Sequence, residues 1–394
     1  MRVAILKGNR LNEWHLAMYE YAARMAPSDR RLEITAFTTP DNLFDTNALG
    51  IDIVRIPYEY EAGPLWRRFW CRWQYRRRHA TEGYEFAAYG LEDRLVDFDL
   101  IQTWELFTTY SQAAVRAAAR GRARLLVTVW DDIPGNYEAQ SDKSAIKRAV
   151  RSAADGFLVY TEAARRSLVE EGVDAGNIHR VWPSVDLSRF QGPTSLPAEL
   201  DEAWLGTRPF TVLFAGRLVP EKGIYDLLDA VEPLFRSVAD PEIKVIYIGS
   251  GRELEPLEHC IRQRGLTGRV RVIRRQHYQA MPDWIRLADV VVLPSRPRKD
   301  WREQFGMIGI EALAAGCPLI VSRTPGTEEV LGRAPLFVES GRIEALREAL
   351  EKLARSPELR RDRAEVGRQW VADHFDQARN APVLLEIYQK LLNA

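Results

Sequence analysis

The chain has 394 residues, of which 46% are hydrophobic and 28% are charged, as is ordinary for a globular protein of two or three domains. Its 55 basic and 55 acidic residues balance, which argues against a protein that binds nucleic acid through a generally basic surface. The cysteines lie far apart and no apolar run reaches the roughly 18 residues of a membrane span. We therefore expect no structural zinc, and a cytoplasmic protein whose membrane attachment is at most peripheral.

The first predicted unit is a strand, a glycine turn and a helix. The apolar run Val3–Leu6 predicts the strand, Gly8 lies in the turn, and the periodicity of Leu11–Met25 predicts the helix. Many α/β domains that bind nucleotides begin with a strand, a glycine turn and a helix in this order. Gly8 either lets the backbone approach a phosphate or an acceptor, or it belongs to an ordinary turn, and the sequence favours neither interpretation.

An aromatic and basic segment follows at residues 64–79. Its aromatic side chains share one face of a predicted helix, and six arginines are interleaved with them. The aromatic residues are Trp66, Phe69, Trp70 and Trp73. This face either packs on the domain core, or contacts an anionic membrane surface through Trp66–Arg78, or binds an anionic or lipid-linked acceptor. Nothing else in the chain supports binding of single-stranded nucleic acid.

Acidic residues follow a predicted buried strand in the first half of the chain. Leu125–Trp130 predicts the strand, and Asp131 and Asp132 come directly after it. Open α/β sheets bind ligands beyond the carboxyl ends of their strands, so Asp131 is a candidate for contact with a sugar hydroxyl or an acceptor. The alternative is turn chemistry, because Asp and the Pro-Gly pair that follows both favour turns.

A stretch rich in Pro, Ser and Gly begins at Pro183 and predicts a domain boundary. We expect an N-terminal domain at residues 1–188 and a C-terminal domain at 205–375. The periodicity near the end of the chain predicts a last amphipathic helix within 376–394.

The second domain opens with a strand that leads into two cations. Phe210–Ala215 predicts the strand, Gly216 follows it, and Arg217 and Lys222 precede a predicted helix. The planar fork of Arg and the point charge of Lys suit a diphosphate. A glycine at a strand end, here and again at Gly249, lets the backbone come close to a ligand. The alternative is a pair of surface cations in an ordinary loop.

The acids Glu303 and Glu311 are eight positions apart. Glu303 lies in a predicted loop and Glu311 on the helix that follows, so both could face one polyhydroxyl ligand. The phosphates of such a ligand would lie at the helix N-terminus, near Phe305, Gly306 and Met307, where free N–H groups favour anions. The alternative is that Glu303 aids capping and that Glu311 is a solvated helix acid.

These motifs together resemble the donor half of a retaining glycosyltransferase of the GT-B type, family 4, the group with a Glu–seven residues–Glu motif. The chain reads GRLVPEKG from residue 216, VVVLPS from residue 290 and EQFGMIGIEALAAGCPLIVS from residue 303. The resemblance covers the C-terminal domain and weakens over the N-terminal half. It implies an α/β fold with two Rossmann-like domains facing a central cleft, and a C-terminal helix that crosses back to the N-terminal domain.

The resemblance also implies roles for individual residues. Arg217 and Lys222 would hold the donor diphosphate. Glu303 would contact the donor sugar, and Glu311 would accept hydrogen bonds from the ribose hydroxyls. No metal or other cofactor is expected, because cations and a helix N-terminus supply the positive charge. The residues expected to approach the donor through their backbones are Gly8, Gly216, Gly249, Phe305, Gly306 and Met307.

The chain departs from the family pattern in three places. The first loop commonly has two glycines, whereas Gly8 is followed by Asn9. Trp130 stands where the family often has a histidine before an acid; its indole can only donate a hydrogen bond, so the expected acceptor-side role moves to Asp131. In the linker, Ser184 stands where Asn-Gly is usual.

We therefore predict a retaining, metal-independent hexosyltransferase with Arg217, Lys222, Glu303 and Asp131 as catalytic residues. It would move a sugar from a nucleotide sugar to a hydroxyl of a glycan, a lipid-linked or a small-molecule acceptor. Two alternatives stay open. One is a non-catalytic GT-B protein that binds a glycan or a nucleotide sugar as a partner subunit, and the other is a sugar-nucleotide epimerase of the same architecture.

Overall fold

The computed structural model describes residues 1–27, 31–42, 44, 50–62, 64–66, 68–70, 88–207, 209–238 and 240–393. The chain divides into two compact units. Unit 1 holds Met1–Ser184 and Gln377–Ala394, and unit 2 holds Val185–Asp376.

Unit 1 is built on a sheet that has seven parallel strands within the described residues. The strands are β1 (Arg2–Leu6), β2 (Glu33–Thr38), β3 (Asp52–Arg55), β4 (Leu100–Trp104), β5 (Arg124–Val129), β6 (Gly156–Val159) and β7 (Ile178–Arg180). The central strands are almost wholly buried, as is typical of a parallel sheet covered on both faces. Their order, β3-β2-β1-β4-β5-β6-β7, reverses direction between β1 and β4. Open α/β sheets bind ligands at the carboxyl ends of the strands at such a point.

The helices of unit 1 connect these strands. They are α1 (Glu13–Met25), α2 (Glu59–Ala62), α3 (Leu91–Leu95), α4 (Thr109–Arg120), α5 (Ser141–Ala153) and α6 (Glu162–Glu170). Helix α1 begins two residues later than predicted because Asn12 caps it. The Asn12 side chain accepts a hydrogen bond from the Trp14 N–H, and the Asn12 N–H donates to Nδ1 of His15.

Part of the predicted aromatic helix is described. Residues 65–66 and 68–70 are helical, and the side chains of Trp66, Phe69 and Trp70 are exposed. These three residues therefore do not pack on the core of unit 1. Trp73 and Arg78 lie outside the described residues.

Unit 2 is built on a second parallel sheet, with six strands in the part of the chain that the structure describes. The strands are β8 (Phe210–Ala215), β9 (Ile243–Gly249), β10 (Val270–Arg274), β11 (Val290–Leu293), β12 (Leu319–Ser322) and β13 (Leu336–Val338). Their order is β10-β9-β8-β11-β12-β13, so here the direction reverses between β8 and β11. The helices are α7 (Glu202–Leu205), α8 (Ile224–Val231), α9 (Leu234–Ser237), α10 (Leu254–Gln263), α11 (Met281–Leu287), α12 (Met307–Ala314), α13 (Pro325–Leu331), α14 (Ile343–Arg355) and α15 (Pro357–His374).

The last helix, α16 (Gln377–Asn393), belongs to unit 1 and packs against α1. Its Tyr388 hydroxyl donates to Oε1 of Gln102 on β4, and Nε2 of Gln102 donates to the Tyr19 hydroxyl on α1 at 2.8 Å. All three side chains are buried, so this chain of hydrogen bonds fixes α16 to the sheet and to α1. Within the described ranges, no helix is long and apolar enough to cross a bilayer.

Candidate functional site

An ion pair lies at the point where the strand order of unit 2 reverses. Lys222 lies in the loop after β8 and Glu303 in the loop after β11, and Nζ of Lys222 lies 2.6 Å from Oε2 of Glu303. Oγ of Ser295 donates to the same carboxylate oxygen at 2.8 Å. Oγ1 of Thr324 donates to the Glu303 carbonyl at 2.8 Å and so fixes the backbone of this loop. The sequence analysis missed Ser295 and Thr324, because their contacts depend on how the loops fold.

The carboxyl group of Glu303 is ionised at neutral pH. Its burial would raise the pKa, but the charge of Lys222 and the hydrogen bonds from Lys222 and Ser295 outweigh burial and hold the pKa below its usual value. The positive charge of Arg217 acts in the same direction. A buried carboxylate of this kind is a strong acceptor for hydroxyl donors.

Arg217 and Lys222 share an aromatic neighbour that the sequence analysis also missed. The Trp301 ring centroid lies 4.9 Å from Nζ of Lys222 and 5.9 Å from the Arg217 guanidinium carbon. A tight turn holds Trp301, because the Arg298 N–H donates to its carbonyl at 2.6 Å. The two cations thus lie near each other at the carboxyl edge of the sheet, as binding of a diphosphate requires.

Two glycines allow the loops of this site to touch. Gly223 has a left-handed φ of 68°, and a Cβ there would lie 1.9 Å from the Pro294 carbonyl oxygen. A Cβ at Gly249 would lie 1.9 Å from the Gly216 carbonyl oxygen. Contact between neighbouring loops therefore accounts for Gly249, and its predicted approach to a donor stays a prediction.

Glu311 lies on α12 and is buried, so the alternative of a solvated helix acid is wrong. Burial raises the pKa of its carboxyl group to about 7, although the charge of Arg189 and a hydrogen bond from Tyr278 oppose the rise. Arg189 stacks on the Tyr278 ring at 4.0 Å and donates to the Tyr278 carbonyl at 2.9 Å. Sequence spacing could not reveal this cluster, since its members come from three separate segments.

Helix α12 begins as the sequence analysis expects, next to Glu303. Gly306 precedes Met307, the first helical residue, and has a left-handed φ of 64°. Phe305 is buried. The first N–H groups of a helix have no partner within it and favour an anion, so this end of α12 adds positive potential beside the ion pair.

In unit 1, Gly8 follows β1 and takes a left-handed φ of 68°. A Cβ there would lie 2.4 Å from the Tyr110 ring, and the Gly8 carbonyl accepts a hydrogen bond from the Thr38 hydroxyl at 2.7 Å. Packing therefore explains this glycine, and its role towards a donor stays a prediction.

Asp131 forms the turn that the sequence analysis gave as an alternative. Its Oδ1 accepts hydrogen bonds from the Ile133 N–H at 3.3 Å and from Nδ2 of Asn136 at 3.1 Å. Burial raises the pKa of the Asp131 carboxyl group, although both hydrogen bonds oppose the rise. A catalytic role for Asp131 stays a prediction.

A half-buried acid that the sequence analysis missed lies next to Trp130. Glu105 directly follows β4, and its Oε1 accepts a hydrogen bond from the Trp130 N–H at 3.1 Å. Its backbone has a left-handed φ of 63°, which is strained for a residue other than glycine and is common at functional sites. Its position after a buried strand is the signal that could have identified it. In the part of the chain that is described, no group of three His, Cys, Asp or Glu side chains is arranged to hold a metal ion.

Comparisons with known proteins give a family model and a fold that this chain matches. Residues 200–370 match the family model described as "Glycosyl transferases group 1". The chain is 29% identical over 269 residues to the D-inositol 3-phosphate glycosyltransferase of Corynebacterium urealyticum, which covers 65% of this chain and 62% of that protein. It is also 29% identical over 250 residues to the GDP-mannose-dependent alpha-(1-6)-phosphatidylinositol monomannoside mannosyltransferase of Mycolicibacterium smegmatis, covering 62% and 64%. The alignments thus span less than two thirds of the length of these relatives.

Among solved structures, Anabaena HepE in complex with UDP has the same fold over almost the whole chain. The TM-score is 0.74 at 17% identity, and the match covers 99% of this chain and 100% of that one. The predicted α/β fold of the GT-B type is confirmed. Residues 200–370 therefore match the glycosyl transferases group 1 family, and the chain has the GT-B fold.

Proposed function

We propose that the protein is a glycosyltransferase that binds a nucleotide-sugar donor on unit 2 and transfers its sugar to a hydroxyl group. One observation carries the proposal. The Lys222–Glu303 ion pair, with Arg217 nearby, lies where the unit 2 sheet reverses its strand order, inside the region that matches the family. Cations for a diphosphate and an ionised carboxylate for sugar hydroxyls are the groups that such a donor needs.

The reaction is the one that the resemblance to retaining glycosyltransferases implies, and these charges fit it. The bond between the anomeric carbon and the diphosphate oxygen breaks, and a bond to the acceptor oxygen forms. Negative charge grows on the leaving nucleoside diphosphate, where Arg217 and Lys222 stabilise it. The departing phosphate takes the proton of the acceptor hydroxyl, so the acceptor attacks from the face that the nucleotide leaves and the configuration is retained. Because side chains supply the positive charge, we propose that the reaction needs no metal.

The donor and its chemistry can be tested together. In a thermal-shift panel of UDP-, GDP-, ADP- and TDP-sugars with EDTA present, we expect one nucleotide to raise the melting temperature, since a ligand at a hundred times its Kd adds about 2.7 kcal/mol of stability. Slow hydrolysis of that donor, followed by proton NMR, should first release the sugar in the configuration of the donor. Isomerisation of the nucleotide sugar without release would instead indicate an epimerase. Absence of any shift would contradict the proposal.

Donor binding should strengthen as the pH rises through about 7. In the proposed site Glu311 accepts the ribose hydroxyls, and it can do so fully only when ionised. Its pKa is about 7, so the ionised fraction rises about tenfold between pH 6 and pH 8. Calorimetric titration with the nucleotide sugar identified in the panel should show a rise in affinity of about that size, because the charge of its diphosphate is constant over this range. Glu311→Gln should bind more weakly and show a flat pH profile; an equally steep profile would assign the titration to another group.

We further propose that the acceptor is a glycan or a lipid-linked molecule and that the protein meets it at an anionic membrane surface. The names of the two relatives above include an inositol phosphate and a phosphatidylinositol mannoside. Trp66 and Phe69 are 73% and 82% exposed on one short helical segment of unit 1. Exposed aromatic residues beside arginines are typical of helices that lie at the membrane interface.

Vesicle sedimentation tests this membrane contact. The full chain should sediment with vesicles that contain phosphatidylglycerol and much less with pure phosphatidylcholine, because an anionic surface attracts the arginines. The double variant Trp66→Ala/Phe69→Ala should lose most of its binding to the phosphatidylglycerol vesicles. Met25→Ala removes an apolar residue of similar exposure elsewhere on unit 1 and should keep it. Equal binding by both variants would rule out this surface.

A further inference from the structure

An acid of unit 2 lies between Arg217 and Lys222 along the chain, and the reaction proposed above does not use it. Glu221 belongs to a short turn of 3-10 helix, Pro220–Lys222, in the loop after β8. Its carbonyl accepts a hydrogen bond from the Arg296 N–H at 2.8 Å, which joins this turn to the loop after β11. Its side chain is only 9% exposed, so the carboxylate lies among the loops and not in solvent.

Three arginines from three different loops face the Glu221 carboxylate. Oε1 lies 3.9 Å from Nη1 of Arg217, which follows β8. Oε2 lies 3.7 Å from Nη2 of Arg252, in the loop after β9, and 4.0 Å from Nη1 of Arg298, in the loop after β11. Because β9, β8 and β11 are neighbours in that order, the carboxylate lies at the carboxyl edge where the strand order of unit 2 reverses.

Arg217 is the arginine of this group that depends most on Glu221. Among the described residues, Glu221 is the one acid within 4.0 Å of the Arg217 guanidinium group. The other two arginines each have a second acid within that distance. These pairs are Arg252 with Glu253 at 3.8 Å and Arg298 with Asp300 at 3.5 Å. The position of Arg217 is therefore the one that loss of the Glu221 charge should change.

Oε2 of Glu221 lies in an environment that is costly for a carboxylate. The atom is buried and accepts no hydrogen bond from the part of the chain that the structure describes. Its distances to Arg252 and Arg298 exceed the roughly 3.2 Å limit of an N–H···O hydrogen bond, so charge alone acts across them. Buried polar atoms of native proteins are nearly always hydrogen-bonded, and an exception calls for a role other than stability.

Such a role follows from the freedom of the Arg217 side chain. Arg217 is long and 52% exposed, so its guanidinium group can take many positions in the absence of a partner. The Glu221 carboxylate at 3.9 Å and the Trp301 ring at 5.9 Å restrict these positions before a diphosphate binds. A side chain that is already ordered loses less entropy when a ligand binds to it.

We propose that Glu221 is a positioning residue of the donor site, whose carboxylate keeps the Arg217 guanidinium group beside Lys222 for binding of the diphosphate. This inference rests on the proposed function and adds a residue that does not itself touch the donor. Glu221 should act only through Arg217, so its effect should vanish when Arg217 is absent. An acid that only keeps the loops folded would have the same effect with and without Arg217.

Inorganic pyrophosphate is a suitable probe, because it has the linkage that all nucleoside diphosphates share and has no base or sugar. Its affinity for the full chain is measured by calorimetric titration with EDTA present. Glu221→Gln keeps the size of the side chain and removes its charge. We expect it to weaken pyrophosphate binding about tenfold in the original protein and less than about twofold in Arg217→Met. Equal weakening in both backgrounds would overturn the inference.

The sign of the change separates positioning from a simple effect of charge. Removal of a negative charge near an anion site should by itself strengthen anion binding. Weaker binding by Glu221→Gln is therefore expected only if the carboxylate acts by placing a cation. Stronger or unchanged binding by this variant would contradict the proposed role.

Glu242→Gln is the control for loss of an acid that faces two cations in unit 2. Glu242 lies 3.1 Å from both Lys244 and Arg269, but it directly precedes β9 and so lies away from the carboxyl edge. This variant should bind pyrophosphate like the original protein. Weakening equal to that in Glu221→Gln would reduce the effect to general loss of an acid and overturn the inference.

Glu221→Asp replaces Glu221→Gln if the latter does not fold, which urea denaturation shows. It keeps the charge but withdraws it from Arg217, so it should weaken pyrophosphate binding by a smaller factor, and again only when Arg217 is present. Equal weakening by Glu221→Asp with and without Arg217 would count against the role in the same way.

The nucleotide-induced melting shift of the original protein separates this inference from the proposed function. If a nucleotide gives the shift but the effects of Glu221→Gln and Arg217→Met are additive, only the positioning role of Glu221 is wrong. Failure of pyrophosphate to bind while the shift is present also overturns this inference, because the cations would then not hold the diphosphate. Absence of a shift with any nucleotide contradicts the proposed function itself.

Discussion

Lys222→Met should lower the transfer rate by about a hundred- to a thousand-fold while the protein stays folded. The lysine charge stabilises the diphosphate as it leaves, and loss of one preorganised contact of this kind costs about 2.7–4 kcal/mol. The variant also leaves Glu303 buried without the cation that lies 2.6 Å away, so the pKa of Glu303 should rise. Steady-state kinetics on the donor identified by thermal shift measure the effect, which should appear mainly in kcat.

Lys244→Met is the control for the loss of a buried lysine in unit 2. Lys244 is buried near the start of β9 and lies 3.1 Å from Glu242, away from the carboxyl edge of the sheet. This variant should lose some stability but keep its kcat. In Lys222→Met/Glu303→Gln, part of the lost stability should return, because no unpaired carboxylate is left buried. Near-normal turnover in Lys222→Met would refute the assignment of the donor site.

Gly223→Ala should destabilise unit 2 by roughly 3 kcal/mol or more and also reduce turnover. A left-handed backbone costs a residue with a Cβ about 1–2 kcal/mol. In addition, the new Cβ would lie 1.9 Å from the Pro294 carbonyl oxygen, which must then move. Pro294 precedes Ser295, which donates to Glu303, so the displacement reaches the acid of the ion pair. Urea denaturation and kinetics on the same preparation measure both effects.

Gly265→Ala separates the two causes. Gly265 has a φ of 67°, almost the same as Gly223, but a Cβ there would meet nothing within 4 Å. This control should therefore show only the cost of the left-handed backbone and should leave turnover unchanged. If the two variants lose equal stability and keep equal activity, contact between the β8 and β11 loops does not hold the site together.

The sequence predicts the parts of this protein that depend on local pattern. The apolar runs of β8 and β11 and the start of α12 are where periodicity, glycine and turn residues place them. The two cations and two acids of unit 2 could be predicted because each lies in, or a few residues along the chain from, a predicted strand or helix. They are Arg217, Lys222, Glu303 and Glu311. Their spacing along the chain also resembles that of a known family, and the family match of residues 200–370 confirms this resemblance. The donor-binding roles of the four residues stay a prediction.

The contacts that depend on strand order could not be predicted in this way. Lys7 follows β1 and Trp130 follows β5, and the two residues are more than a hundred positions apart in the sequence. Their side chains meet because only one strand, β4, lies between β1 and β5 in the sheet. The charge of Arg189 and the hydrogen bond from Tyr278 likewise act on Glu311, and no periodicity connects either residue with it. The role of Gly223 could not be predicted either, since its contact is with Pro294, which follows a different strand.

The return of α16 to unit 1 has a consequence for synthesis of the protein on the ribosome. Unit 1 includes residues 377–394, so its first 184 residues lack α16 until the whole of unit 2 has been synthesised. Unit 2 is contiguous, and it separates the two parts of unit 1 by 192 residues, from Val185 to Asp376. At about 5–20 residues per second this interval lasts roughly 10–40 seconds. The second unit can therefore complete its core before the first, the reverse of the usual order, and the α1 surface that receives α16 is open to chaperones during that time.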